Sequence, residues 1–265
     1  MASDPRYLGA ATEIVLRAGE IMLEHVGREF RVDKKGTIDL VTEVDIAIER
    51  MFRAVVAERF PTHEILAEEF GGRADVPAGP CWVFDPIDGT TNFAHGLPIF
   101  CASLALEIDG AAQVGAVYDP NRKELFTAER GRGAALNGKP IRVSAAADLV
   151  DALLVTGFPY DVHARVEEVV GLFGKFIGQA RAVRRLGSAA IDLCYVAAGR
   201  MDGFWEGDLK AWDISAGALI VAEAGGRVTT LDGQPFASRE GNVLASNGLL
   251  HDAMLEVIRT FRRTG

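Results

Sequence analysis

Asp85 and Asp88, in the segment CWVFDPIDGTTN, are the residues whose type and spacing most suggest chemistry. An apolar run carries Asp85 to the exit of a buried strand. Pro86 disfavours helical geometry at Asp85 and keeps the chain turning, so the two carboxylates are expected to converge on one side of a tight turn. Gly89, Thr90, Thr91 and Asn92 then read as a helix start, whose free amides and positive dipole end favour a phosphate. Acid ligands and an anion cradle would thus lie side by side. In isolation, Asp-Pro and Asp-Gly also simply make turns.

Other acids have the same ambiguity. Glu68 and Glu69 follow the apolar approach EIL and precede Gly71-Gly72, which suits either a carboxylate at a strand end or a solvated turn. Asp213, in LKAWDISAGALIVAEAGG, stands where a helix N-cap is expected, and Asp45, which with Asp39 brackets DLVTEVD, reads as another. What unites the set is ligand type: carboxylates and carbonyls, with almost no His or Cys. Such hard oxygen donors suit Mg²⁺ or Mn²⁺ and disfavour Zn²⁺. The histidines at 25, 63, 95, 163 and 251 show no metal-ligand spacing, and only His95 lies near a motif. GxxxxGK[ST], GxGxxG and GxSxG are all absent, so nucleotide kinases, dinucleotide enzymes and serine hydrolases lose support and phosphoryl transfer to water remains.

The net charge of −9 sharpens the metal argument, because the overall field repels nucleic acid, anionic membranes and a phosphate substrate alike. Local positive charge is then needed, and acids clustered in motifs suggest that bound cations supply it. The basic cluster RAVRR, 181–185, reads as a solvated or subunit-contact segment. No apolar run is long enough to cross a bilayer, and the N-terminus lacks the pattern of a signal peptide, so a cytoplasmic protein is expected. Cys81, Cys101 and Cys194 sit in apolar surroundings and read as reduced core thiols.

The elements that must position these acids follow from periodicity. Asp4-Pro5 opens a helix that reaches about Gly27, Asp45 opens another that ends before Pro61, and CWVFDPIDG is a buried strand stopped by Asp-Pro. From 102 to 143 the chain alternates between turns as a β-meander, with Asn137-Gly138 a hairpin signal. After about Asp148 strand and helix alternate, which divides the chain into lobes of about 1–147 and 148–265 acting as one catalytic unit. Helices layered against mixed sheets define an α/β or α+β sandwich.

The ordered set DLVTEVD, AEEFGG, WVFDPIDGTTNF and WDISAGALIVAEAGG closely resembles the inositol monophosphatases, and the resemblance spans essentially the whole chain. GAVYDP, GAALNGKPIRVS, TGFPYD and GSAAIDLCYVAAGRMDGFWE support it, the last with a bacterial flavour. It implies a layered α-β-α-β-α sandwich, a homodimer, and Li⁺-sensitive, Mg²⁺-dependent hydrolysis of inositol-1-phosphate by metal-activated water. The broader superfamily, which includes fructose-1,6-bisphosphatases and phosphatases of 3′-phosphoadenosine 5′-phosphate, shares the metal motifs, so metal chemistry is better defined than substrate, and histidinol phosphate is a further alternative. Some bacterial members also engage the transcription machinery.

Carried over by position, the resemblance implies that Glu68, Asp85 and the Ile87 carbonyl hold a first Mg²⁺. Asp85, Asp88 and Asp213 hold a second, and a third binds loosely beside Glu68. Asp45 pairs with Thr90 to orient the attacking water, which makes Glu68, Thr90 and Asp45 the catalytic group. The Gly89 and Thr90 amides bind phosphate, while Asp88, Ala189, Glu206 and Asp213 contact substrate, with Ser188 and Lys34 as further candidates. Ala67 replaces a frequent glycine and Ala211 a frequent proline, and Asp208 adds an acid near Glu206.

Overall fold

Asp4 caps the first helix as its sequence predicts: its side chain accepts the Arg6 amide, Pro5 takes the first helical position, and α1 runs Pro5–His25. The structure, a computed structural model, describes residues 4–34, 36, 39–72 and 78–264. Ala11, Ile14, Val15, Ala18 and Met22 recur at helical spacing along α1 and are all buried. A small hairpin, β1 (Val32–Lys34) and β2 (Leu40–Thr42), leads into α2 (Glu43–Arg59). Asp45 does not open this helix. Thr42 is its N-cap, taking the Val44 and Asp45 amides on its hydroxyl, and Asp45 at the third position returns a bond to the Thr42 amide.

Next come β3 (Glu64–Ala67), β4 (Gly71–Gly72), β5 (Pro80–Asp88), α3 (Thr90–Ala94), β6 (Cys101–Ile108), β7 (Ala111–Asp119), β8 (Glu124–Glu129), β9 (Gly133–Leu136) and β10 (Lys139–Pro140). Their strands form an eight-stranded sheet in the order β10-β9-β8-β7-β6-β5-β3-β4. The meander from β5 to β10 is antiparallel, and β3 joins β5 in parallel. Asn137 and Gly138, both at positive φ, close the β9–β10 hairpin.

The remainder holds β11 (Leu153–Thr156), α4 (Val166–Ile177), β12 (Ala182–Arg184), α5 (Ala189–Ala197), β13 (Gly203–Glu206), α6 (Ala211–Glu223), β14 (Arg227–Thr229), β15 (Val243–Ser246) and α7 (His251–Thr264). Five strands form a second mixed sheet, β12-β11-β13-β15-β14. Of RAVRR, Ala182–Arg184 is its edge strand β12 and Arg181 pairs with Asp151, so the segment is built into the fold. Asp213 is not an N-cap either. Lys210 holds that place and Asp213 sits at the third helical position, its carboxylate accepting the Lys210 amide at 2.6 Å.

The layers follow from which faces are apolar. Every residue of α5 is buried, as is Ile214–Val221 of α6, and mainly apolar helices buried on all sides belong between two sheets. The order is α1 and α2, the eight-stranded sheet, α5 and α6, the five-stranded sheet, then α4 and α7. This is the layered α/β sandwich that the sequence predicts. All three cysteines are free and buried. Among the described residues no helix is long and apolar enough to cross a membrane.

Candidate active site

The site begins with a fault in the pairing of β5 and β6. Asp85 faces Ser103 and Asp88 faces Cys101, so β5 advances three residues where β6 advances two. In a regular strand, residues three apart point to opposite faces. One inserted residue restores the parity, and both carboxylates line one cavity. β5 therefore runs through Pro86 to Asp88 instead of stopping at Asp-Pro, and convergence comes from a bulge, not from the tight turn that the dipeptide suggests. Asp85 Oδ1 accepts the Ile87 amide at 3.0 Å and fixes the bulge locally. Gly89 follows at φ +97, where a Cβ would meet the Ile99 carbonyl at 2.9 Å, and Thr90 begins α3.

Glu68 reaches Asp85 through sheet register. Ala67 pairs with Phe84 across the parallel β3–β5 ladder, and the Glu68 amide donates to the Phe84 carbonyl at 3.3 Å. The turn after it is held by a residue that the sequence reading did not single out. Glu49, fully buried on α2, accepts the Glu69 amide at 2.7 Å and the Phe70 amide at 3.1 Å, while Arg53 bridges Glu49 to the Gly71 carbonyl. The signal was there: Glu49 lies four residues from both Asp45 and Arg53, inside the buried stripe of Val44, Ile48 and Phe52. Replacing Glu49 by Leu should destabilise the fold by about 3 kcal/mol, because it strands two amides and Arg53. It should also lower the turnover expected of this site by releasing Glu68. Melting curves and phosphate-release rates on the variant check both, and unchanged turnover in a folded variant contradicts the positioning role.

Asp88 is anchored from the opposite layer. Its Oδ2 accepts Ser188 Oγ at 2.6 Å and the Ala190 amide at 2.7 Å, both at the start of α5. Asn92 ties α3 to the same region through the Leu186 carbonyl at 2.9 Å. Asp213, at the first turn of α6, completes the rim. These bonds fall on Asp85 Oδ1, Asp88 Oδ2 and Asp213 Oδ2. Thr90 Oγ1 donates to the Ile87 carbonyl at 2.9 Å, and Asp45 Oδ2 accepts from Thr42, so Thr90 and Asp45 do not bond to each other here. Asp45 Oδ1 is buried with no partner.

The cavity, of about 230 Å³, gathers Glu68, Asp85, Ile87, Asp88, Gly89, Thr90, Ser188, Ala189, Glu206 and Asp213 from the expected set, and adds Arg185 and Asp192. Seven carboxylates line it against two cations, Arg185 and Lys210. Asp208 is answered from outside by Arg165 at 2.5 Å, so this additional rim acid is neutralised. Gly157 packs directly on Glu206, where a Cβ would fall 2.0 Å from its carboxylate. Lys34, on exposed β1, His95, exposed after α3, and Asp45, buried on α2, are not among the lining residues.

Crowding sets the electrostatics. Burial first, then Glu68, Asp88 and Asp213, push Asp85 well above the usual carboxylate range. Burial, with Asp88 and Glu68 next, does the same to Asp213. Burial raises Asp88 to about 6 against its bonds from Ser188 and Ala190, and raises Glu206 to about 8 against the opposing Arg185. Asp45 is lifted to about 7, mainly by burial, with Glu68 and Glu69 adding to it. Among the described residues no three Asp, Glu, His or Cys side chains stand at ligating distance as placed. The donor chemistry nevertheless fits a hard divalent cation: Glu68, Asp85, Asp88 and Asp213 offer only oxygen donors, the other three raise Asp85, and Asp45 nearby keeps an orphaned buried oxygen.

Residues 5–263 match the model of the inositol monophosphatase family. The chain is 44% identical over 253 residues to the inositol-1-monophosphatase of Synechocystis sp., covering 95% of this chain and 88% of that one. It is 42% identical to the Nus factor SuhB of Pseudomonas aeruginosa, covering 95% of each. Its fold superposes on the solved inositol monophosphatase of Anabaena with a TM-score of 0.88, 40% identity and 96% of each chain covered.

Proposed function

Because the chain belongs to the inositol monophosphatase family, a family of phosphatases, we propose that it hydrolyses inositol-1-phosphate to inositol and phosphate, with Mg²⁺ as cofactor. The observation that carries this reading is the β5 bulge, which turns Asp85 and Asp88 into one cavity with Glu68 and Asp213. Glu68, Asp85, the Ile87 carbonyl, Asp88 and Asp213 would hold two or three Mg²⁺, with Mn²⁺ as the substitute. The ions would supply the positive charge that an acidic protein needs to admit phosphate, acidify the attacking water and neutralise the leaving oxygen.

The chain's own groups do the rest. The Gly89 and Thr90 amides, at the start of α3, have no partner within that helix and face the phosphate. Thr90, held on the Ile87 carbonyl, and Asp45, with its spare Oδ1, order the attacking water near Glu68. Ser188 and the Ala190 amide hold Asp88 so that its other oxygen serves the site. Ala189 and Glu206 face the leaving alcohol, and Asp208, paired with Arg165, takes no direct part. In this reading both lobes form one catalytic unit, a Li⁺-sensitive cytoplasmic homodimer, and Lys34 has no assigned contact.

Rates of phosphate release from inositol-1-phosphate, fructose-1,6-bisphosphate, 3′-phosphoadenosine 5′-phosphate and histidinol phosphate test the substrate. The first is expected to turn over fastest, and faster release from any other reassigns it. A second reading, association with the transcription machinery, is favoured by the 42% identity to proteins named Nus factor SuhB. It gains support if a catalytically dead variant still rescues the phenotype of a deletion strain.

A further inference from the structure

Of the seven carboxylates in the cavity, four belong to the proposed metal set, Glu206 faces the alcohol and Asp208 pairs with Arg165, which leaves Asp192 without a role. Asp192 is 1% exposed, lines the cavity, and has no hydrogen-bond partner on either carboxylate oxygen. A buried carboxyl with both oxygens unpaired is costly, and native interiors keep such a group where a ligand completes it. Its place in the fold says which ligand. Asp192 lies in the first turn of α5, its amide bonded to the Ser188 carbonyl at 3.0 Å, so it stands one turn beyond the Ser188 hydroxyl that grips Asp88. It shares the cavity with Glu206 and Arg185, and both act on its charge. Glu206 and Asp88 add to burial in pushing the Asp192 carboxyl upward, and Arg185 opposes them.

We propose that Asp192 is a specificity-determining residue that accepts hydrogen bonds from hydroxyl groups of a polyhydroxylated leaving alcohol. This rests on the phosphatase reading above and deepens it. Hydroxyl hydrogens satisfy the two orphaned oxygens at the moment of binding, whereas an alcohol without hydroxyls leaves them unpaired. Asp192 thereby discriminates among phosphomonoesters without taking part in phosphoryl transfer, so its loss falls on one class of substrate.

The test compares inositol-1-phosphate with cyclohexyl phosphate, the same ring without hydroxyls, at saturating Mg²⁺. Asp192→Leu should lose about tenfold or more in kcat/KM on inositol-1-phosphate, mostly as a rise in KM. It should hydrolyse cyclohexyl phosphate within about twofold of the unmodified protein, because no hydrogen bond to that ring is lost. Asp192→Asn, which keeps an acceptor, should fall between and guards against a folding defect in the leucine variant. An equal loss on both substrates, or no loss on either, overturns the proposal while leaving the phosphatase reading intact. If the unmodified protein hydrolyses neither ester, the phosphatase reading itself fails and the role of Asp192 falls with it.

Discussion

Asp213→Asn and Asp88→Asn each lower kcat/KM on inositol-1-phosphate by about a thousandfold, the scale expected when several kcal/mol of metal-borne charge stabilisation is removed. The substitution is nearly isosteric, and the supporting bonds survive it. Asparagine at 213 still accepts the Lys210 amide, and asparagine at 88 still accepts the Ala190 amide. What disappears is one negative charge from a cluster in which each carboxylate raises its neighbours. Without metal, both variants should therefore melt at or above the temperature of the unmodified protein. Inactivity combined with undiminished stability separates loss of a ligand from loss of the fold. Near-normal turnover in either variant would reject its assignment as a ligand.

Stability of the metal-free protein should decline as pH rises from about 5.5 to 8, the reverse of the usual acid sensitivity of carboxylates. Asp45 at about 7, Asp88 at about 6 and Glu206 at about 8 lie above their unfolded values, so across that window the native state holds more protons than the unfolded chain. Each unit of pH through which one of them must ionise costs up to about 1.4 kcal/mol. His251 acts oppositely. Buried against Thr229 and Ser246, its imidazole is held down to about 4, so its share of stability is full above 6.5 and is lost as pH falls toward 4. One histidine against several carboxylates places the metal-free optimum on the mildly acidic side. Mg²⁺ should invert the trend, stabilising strongly at pH 8, by about 2.7 kcal/mol at a hundred times its Kd, and weakly at pH 5.5, where protons compete for the same oxygens. Thermal melts at both pH values, in EDTA and in Mg²⁺, read this directly. A metal-free protein that gains stability from pH 5.5 to 8, or an equal Mg²⁺ effect at both, contradicts it.

Where the sequence was legible, short-range rules governed the outcome. Asp4-Pro5 opened α1, and Asn137-Gly138 closed a hairpin. Asp85 and Asp88 were visible as a pair because they lie in one segment. How they converge was not, since a bulge is defined by the partner strand, and Ser103 and Cys101 are remote in sequence. Asp45 and Asp213 were each read one turn too early in their helices, because the N-cap positions fall to Thr42 and Lys210, a shift that periodicity does not register. Glu49 and Asp192 were hidden for a common reason. Each is an acid within a helix, and its role depends on which backbone or cavity that helix is packed against. Arg185 was read as part of a basic surface cluster, yet the chain leaving edge strand β12 turns it into the cavity beside Glu206.

The central claim is that the carboxylates around the β5 bulge make this chain a Mg²⁺-dependent phosphomonoesterase. It is tested most directly by phosphate release from inositol-1-phosphate as Mg²⁺ is titrated into protein stripped with EDTA. Release should be absent without metal, rise with Mg²⁺ to a plateau, and stay absent in Asp213→Asn across the same titration. Turnover that persists in EDTA, or a plateau that survives the Asp213 substitution, would contradict the account.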